Sequence, residues 1–173
     1  MFAFYISYFF MGLHIEGALG LSPTASGMVP LLYGLGFGAS VVFDRTLDRL
    51  RPDIALPSVF ALIAVIYGLM AWMSPFYFGL LALSFLWGVS QHIGLNLTVA
   101  RLTCLDPGQR GAVMGLYSTV TYLCVFIAPL VGGSLYTLYG LAGCLIISGI
   151  CAALESVEAR VSFRNGRSAA PPA

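Results

Sequence analysis

Six apolar runs, separated by short breaks that collect most of the charge, leave this chain few ways to fold. They are Met1–Leu13, which fades into HIEGALGL, then Thr24–Phe43, Leu56–Met73, Tyr77–Val99, Gly111–Tyr136 and Leu141–Leu154. A helix rises about 1.5 Å per residue, so crossing a bilayer core of about 30 Å takes roughly 20 residues. The second to fifth runs have that length, and the sixth has it when started near Tyr136. The first is too short and lacks the basic start and small-residue cleavage site of a secretory signal. We read it as a helix whose beginning lies before Met1. An unpaired backbone group in lipid costs several kcal/mol, so each run must be helical.

Composition fixes the solvent. Of 173 residues, 59% are hydrophobic, 9% are charged and none is lysine. A soluble domain carries about 25% charged residues, so this chain has too few polar side chains to cover a surface facing water. A lipid bilayer is its partner. Cys104, Cys124, Cys144 and Cys151 are far apart with no CxxC spacing, which argues against a disulfide framework or a metal site. His14 and Glu16 are two apart, on different faces of a helix, and make no joint metal site. The sequence has no HExxH, phosphate loop, nucleophilic triad or nucleic-acid surface, so we expect neither an enzyme nor a metal or organic cofactor. Gly34, Gly36 and Gly38 follow no strand and read as close helix packing.

The stretch FDRTLDRLRPD, Phe43 to Asp53, has six charges in eleven residues. Alternating the sides of six spans places Arg45, Arg49, Arg51, Arg101, Arg110, Arg160, Arg164 and Arg167 all on one side. Basic residues mark the cytoplasmic face. The expectation is an integral, multi-pass protein of the plasma (inner) membrane with a cytoplasmic C-terminus. Residues 1–154 form the membrane domain, and 155–173 form a polar cytoplasmic tail, interfacial and then disordered.

The entry to the second helix, SPTASGMVPLLY, aligns with the entry to the fifth, DPGQRGAVMGLY. Pro23, Gly27, Val29, Leu32 and Tyr33 match Pro107, Gly111, Val113, Leu116 and Tyr117, and Ser22 and Asp106 are N-cap residues followed by Pro. The two helices enter from opposite sides. The fold class expected is therefore all-α, with six transmembrane helices as two inverted three-helix repeats, a device of transporters.

With these features the chain resembles the major facilitator superfamily. LGLSPTASGMVPLLYGLGFGAS is similar to an outer loop and second helix, DRTLDRLR to the cytoplasmic signature G-x-L-A-D-R-x-G-R-R, and PGQRGAVMGLYS…IAPLVGG to the entry and Gly-Pro-x-x-Gly-Gly element of helix five. The resemblance implies a C-terminal six-helix half, truncated at its first helix, that works with a second half. Asp44 and Arg45 match the signature and Arg49 takes its second terminal basic place, while Leu47 replaces a Gly and Asp48 a basic residue. By that likeness Asp44, Arg45 and Arg49 form a cytoplasmic gating latch. Pro129, Gly132 and Gly133 match the helix-five element, with Ala128 in place of its first Gly. On physical grounds those positions suit a kink and a close helix contact.

Polar groups within a span face the bundle interior by default. The fourth helix has the most. Ser84, Trp87, Gln91 and Thr98 share one stripe at about 100° per residue, flanked by His92 and Asn96. Gln91 and His92, near mid-span, lead the candidates for hydrogen-bonding a solute. Tyr5 and Tyr8 on the first helix are candidates for stacking. The resemblance makes the first and fourth helices of a half line the central cavity. Histidine is the side chain suited to carrying a proton at physiological pH, which makes His92 the candidate for a coupling proton.

Two functions fit these residues. One is secondary active transport of a small solute by alternating access, with efflux of amphipathic compounds implied by the family resemblance alone. The other is a truncated six-helix module that assembles with a partner or survives as a relic and transports nothing. They differ in whether Gln91 and His92 matter to flux.

Overall fold

The computed structural model describes residues 1–43, 51–105 and 108–168, and every secondary-structure element among them is helical. Helix α1 is Phe2–Gly17, and α2 is Pro23–Ala39, which runs into a short 3-10 turn at Ser40–Phe43. Helix α3 is Pro52–Trp72, α4 is Tyr77–Leu105 and α5 is Arg110–Ser168. The start of α2 follows from its sequence. Pro23 takes the first helical position, and the Ser22 hydroxyl accepts a hydrogen bond from the Ala25 amide at 3.3 Å.

Helix α5 is two limbs, not one rod. Gly140 breaks it with φ 64° and ψ −166°, a conformation open essentially to glycine alone. Across the break, Cys144 packs into one buried cluster with Ala128 and Ile6, and its thiol lies 3.9 Å from the Gly132 carbonyl oxygen. Twelve residues of straight helix would span about 18 Å, so the chain folds back on itself. The apolar runs ending at Tyr136 and Leu154 correspond to these limbs. The second limb continues through Ser168, so the boundary drawn at Leu154 falls inside a helix. Backbone hydrogen bonding carried it past the point where hydropathy fades. Residues 169–173, at the end of the expected disordered tail, lie outside the described residues.

The bundle is stitched at its crossings. Helix α5 packs on α1 and α3, and α2 packs on α4. A Cβ on Gly36 would run into the Phe85 carbonyl, and one on Gly88 would run into the Tyr33 carbonyl. The pair α2 and α4 thus approaches backbone to backbone through two glycines, one on each helix. Gly34 and Gly38 differ, since nothing lies within 4 Å of where their Cβ atoms would stand. Hydroxyls make the interior links: Ser7 donates to Ser148 at 2.9 Å, Ser148 to the Ala3 carbonyl at 2.8 Å, and Ser156 to the Pro57 carbonyl at 2.7 Å.

Large apolar side chains cover the outside. Phe78 and Val42 are each 81% exposed. Among the described residues, four helical stretches are long and apolar enough to cross a membrane: Pro23–Val42, Pro52–Trp72, Tyr77–Cys104 and Arg110–Arg164. Helix α1, at 16 residues, is shorter.

Candidate functional site

The fourth helical run splits its polar residues between two directions. Gln91 and Thr98 line a cavity of about 190 Å³ enclosed by α1, α3, α4 and both limbs of α5. Its walls are Ala3 and Phe4 from α1, Phe60, Ile63 and Tyr67 from α3, and Tyr117, Ala152 and Glu155 from α5, with Met1 at one edge. Thr98 spends its hydroxyl on the Gly94 carbonyl at 2.7 Å, as threonine in a helix commonly does. The Gln91 amide, whose two ends donate and accept, is therefore the versatile hydrogen-bonding group that α4 offers here.

His92 points elsewhere. It is buried at 7% exposure, its ring edge-on to Phe37 of α2 with centroids 4.6 Å apart, and its Nε2 lies 2.9 Å from Asn96 Nδ2. Asn96 is exposed. Neither residue lines the cavity, because one step along a helix turns a side chain by about 100°. The stripe that carries Gln91 inward sends its neighbour towards α2.

Trp87 is packed into the bundle with no exposure. It is the hub of an aromatic cluster, its ring centroid 5.0 Å from Tyr33, 5.1 Å from Phe4, 5.6 Å from Tyr67 and 6.4 Å from Tyr8. Tyr8 stacks on Phe4 at 5.3 Å and belongs to the same cluster. Tyr5 stacks on Phe9 at 5.9 Å and packs beside the Ile6–Ala128–Cys144 contact. These three aromatics hold helices together, and none is a wall of the cavity beside Gln91.

In the helix-five element, Gly132 is buried where a Cβ would strike the Phe10 ring of α1. Gly133 has no neighbour within 4 Å at that point, and Pro129 is exposed on the helix. The break in α5 is at Gly140. Asp44, Arg45 and Arg49, the gating-loop residues, lie outside the described residues, as do Asp106 and Pro107 of the repeat.

Sequence reasoning passed over Glu155, Tyr117, Tyr67 and Phe4 as cavity residues. Glu155 carried a readable signal. Leu141, Leu145, Ser148 and Ala152 recur every three or four residues on the buried face of the second limb, and Glu155 continues that spacing. Among the described residues no group of His, Cys, Asp and Glu could hold a metal ion.

An all-helical bundle coated in apolar side chains, with its polar groups turned inward, defines an integral multi-pass membrane protein. Residues 1–171 match the Major Facilitator Superfamily, and the chain belongs to that family. It is 30% identical over 154 residues to an uncharacterized MFS-type transporter, YwfA, of Bacillus subtilis (strain 168). That match takes in 89% of this chain and 37% of the relative, so the chain spans little over a third of the relative's length. No solved structure matches it.

Proposed function

We propose that this chain forms one half of a secondary active transporter that moves a small solute by alternating access. Six spans make that half: α1 to α4 and the two limbs of α5, arranged as two inverted three-helix units. The length of α5 supports this count, since 59 residues extend about 88 Å, far more than a bilayer core of about 30 Å. The arginine-bearing loops and the C-terminal end face the cytoplasm, and the protein resides in the plasma membrane. A second six-helix half completes the pathway, and rocking of one half against the other exposes the solute to each side in turn. Asp44, Arg45 and Arg49 latch one state through a few interactions of about 1 kcal/mol each. That is weak enough to reverse in every cycle.

The observation that supports this reading most is the position of Gln91, a polar side chain on the wall of an interior cavity in a chain of this family. Reconstitution in liposomes with a panel of labelled solutes tests it. Flux of the transported solute should fall at least tenfold in Gln91→Ala, with the variant still folded and inserted. Full flux in that variant would remove Gln91 from the pathway. A protein that moves no solute, in the presence of its second half, would favour the non-transporting module.

A further inference from the structure

The cavity beside Gln91 has an uncommon lining for so apolar a chain: aromatic rings and one carboxylate. Phe4, Phe60, Tyr67 and Tyr117 contribute the rings, and Glu155 the carboxylate. An ionised carboxylate inside a membrane protein is expensive unless a cation compensates it. Among the described residues the ion pair found is Arg51–Asp53, and Glu155 takes part in none. Arg101, on the groove that adjoins the cavity past Thr98 and Glu155, is committed elsewhere. Its guanidinium donates to the Ser162 hydroxyl at 2.6 Å and lies 4.2 Å from the centre of the Phe163 ring. The other charges around Glu155 are the Met1 amino end, on the cavity edge, and Glu158, on the adjoining groove, which adds a second negative charge.

Aromatic faces are negative at their centres and attract cations, most strongly when the cation is poorly hydrated, as alkylated ammonium is. A carboxylate beside such faces adds direct charge complementarity. Two hydrogen-bonding groups complete the lining: the Gln91 amide, and the Tyr117 hydroxyl, which is buried and makes no hydrogen bond among the described residues. The cavity, at about 190 Å³, is smaller than the pockets of about 300–1,000 Å³ that take drug-sized ligands. We propose that it takes a small organic ammonium ion carrying one polar substituent, its charge paired with Glu155 inside the aromatic walls. This inference rests on the transporter reading for its physiological meaning, but binding tests it without any flux.

Equilibrium dialysis of the purified protein in detergent, with labelled choline and its uncharged isostere 3,3-dimethylbutan-1-ol, separates charge from shape. Choline should bind at least tenfold more tightly than the alcohol. Glu155→Gln should erase that preference while leaving affinity for the alcohol unchanged, which also shows that the cavity survives the substitution. Glu155→Asp should keep most of the preference. Equal binding of the two probes to the unaltered protein would overturn the proposal and leave the cavity and transport readings intact. So would a preference that persists in Glu155→Gln. If neither probe binds while flux of some other solute still depends on Gln91, the ammonium inference is wrong and the transporter reading stands.

Discussion

Trp87 separates what a side chain's type suggests from what its neighbours make of it. On the helical wheel it shares a stripe with Gln91, and a polar-tipped aromatic on that stripe invites a role in solute stacking. In the structure it is fully buried against Phe4, Tyr33 and Tyr67. Removing such a side chain deletes many contacts and leaves a void, at a cost of about 3–5 kcal/mol for Trp→Ala. Trp87→Ala should therefore lower the thermal unfolding midpoint in detergent sharply, and Trp87→Phe should restore most of it. A Trp87→Ala protein of unchanged stability but impaired solute binding would return this residue to the site. The wheel gives the angular spacing of the side chains on α4, but not which helix stands opposite each of them. Gln91 meets a cavity, Trp87 a wall of rings, and His92 meets α2.

The glycines of α2 show the same gap between local pattern and tertiary contact. Gly34, Gly36 and Gly38 look equivalent in sequence, yet only Gly36 sits at the crossing with α4, where Gly88 reciprocates. Gly36→Ala would press a methyl group into the Phe85 carbonyl, and the helices would have to separate. Overpacking of this kind costs about 1–3 kcal/mol, so yield of folded, monodisperse protein should fall. Gly34→Ala meets nothing and should be neutral, so equal behaviour of the two variants would refute the crossing. The elements were largely legible because hydropathy alone dictates a helix in lipid. Their ends were less so. Helix α3 begins at Pro52, four residues before the apolar run, because Pro and the acidic Asp53 suit a helix's first turn. The second limb of α5 continues polar to Ser168 because backbone hydrogen bonds propagate whatever the side chains.

As a whole the chain reverses the pattern of a soluble protein. Phe and Val face outward, while serines bridge the interior in short hydrogen bonds. This inversion was legible from composition. The candidate cavity was legible only in part. Gln91 announced itself as a polar residue at mid-span, whereas Phe4, Tyr67, Tyr117 and Glu155 reach the same space from separate helices. Only the packing of α1, α3 and α5 brings them together. Alternating access is the central claim, and it can be tested before any solute is known. The four native cysteines are replaced by serine, Gln91→Cys is introduced into the assembled transporter, and a membrane-impermeant maleimide is applied to each face of oriented vesicles in turn. The account predicts labelling from both faces, each in a separate population of molecules, and loss of labelling from one face when the transporter is locked by cross-linking the opposite end. Labelling from a single face under every condition, or from neither, would contradict it.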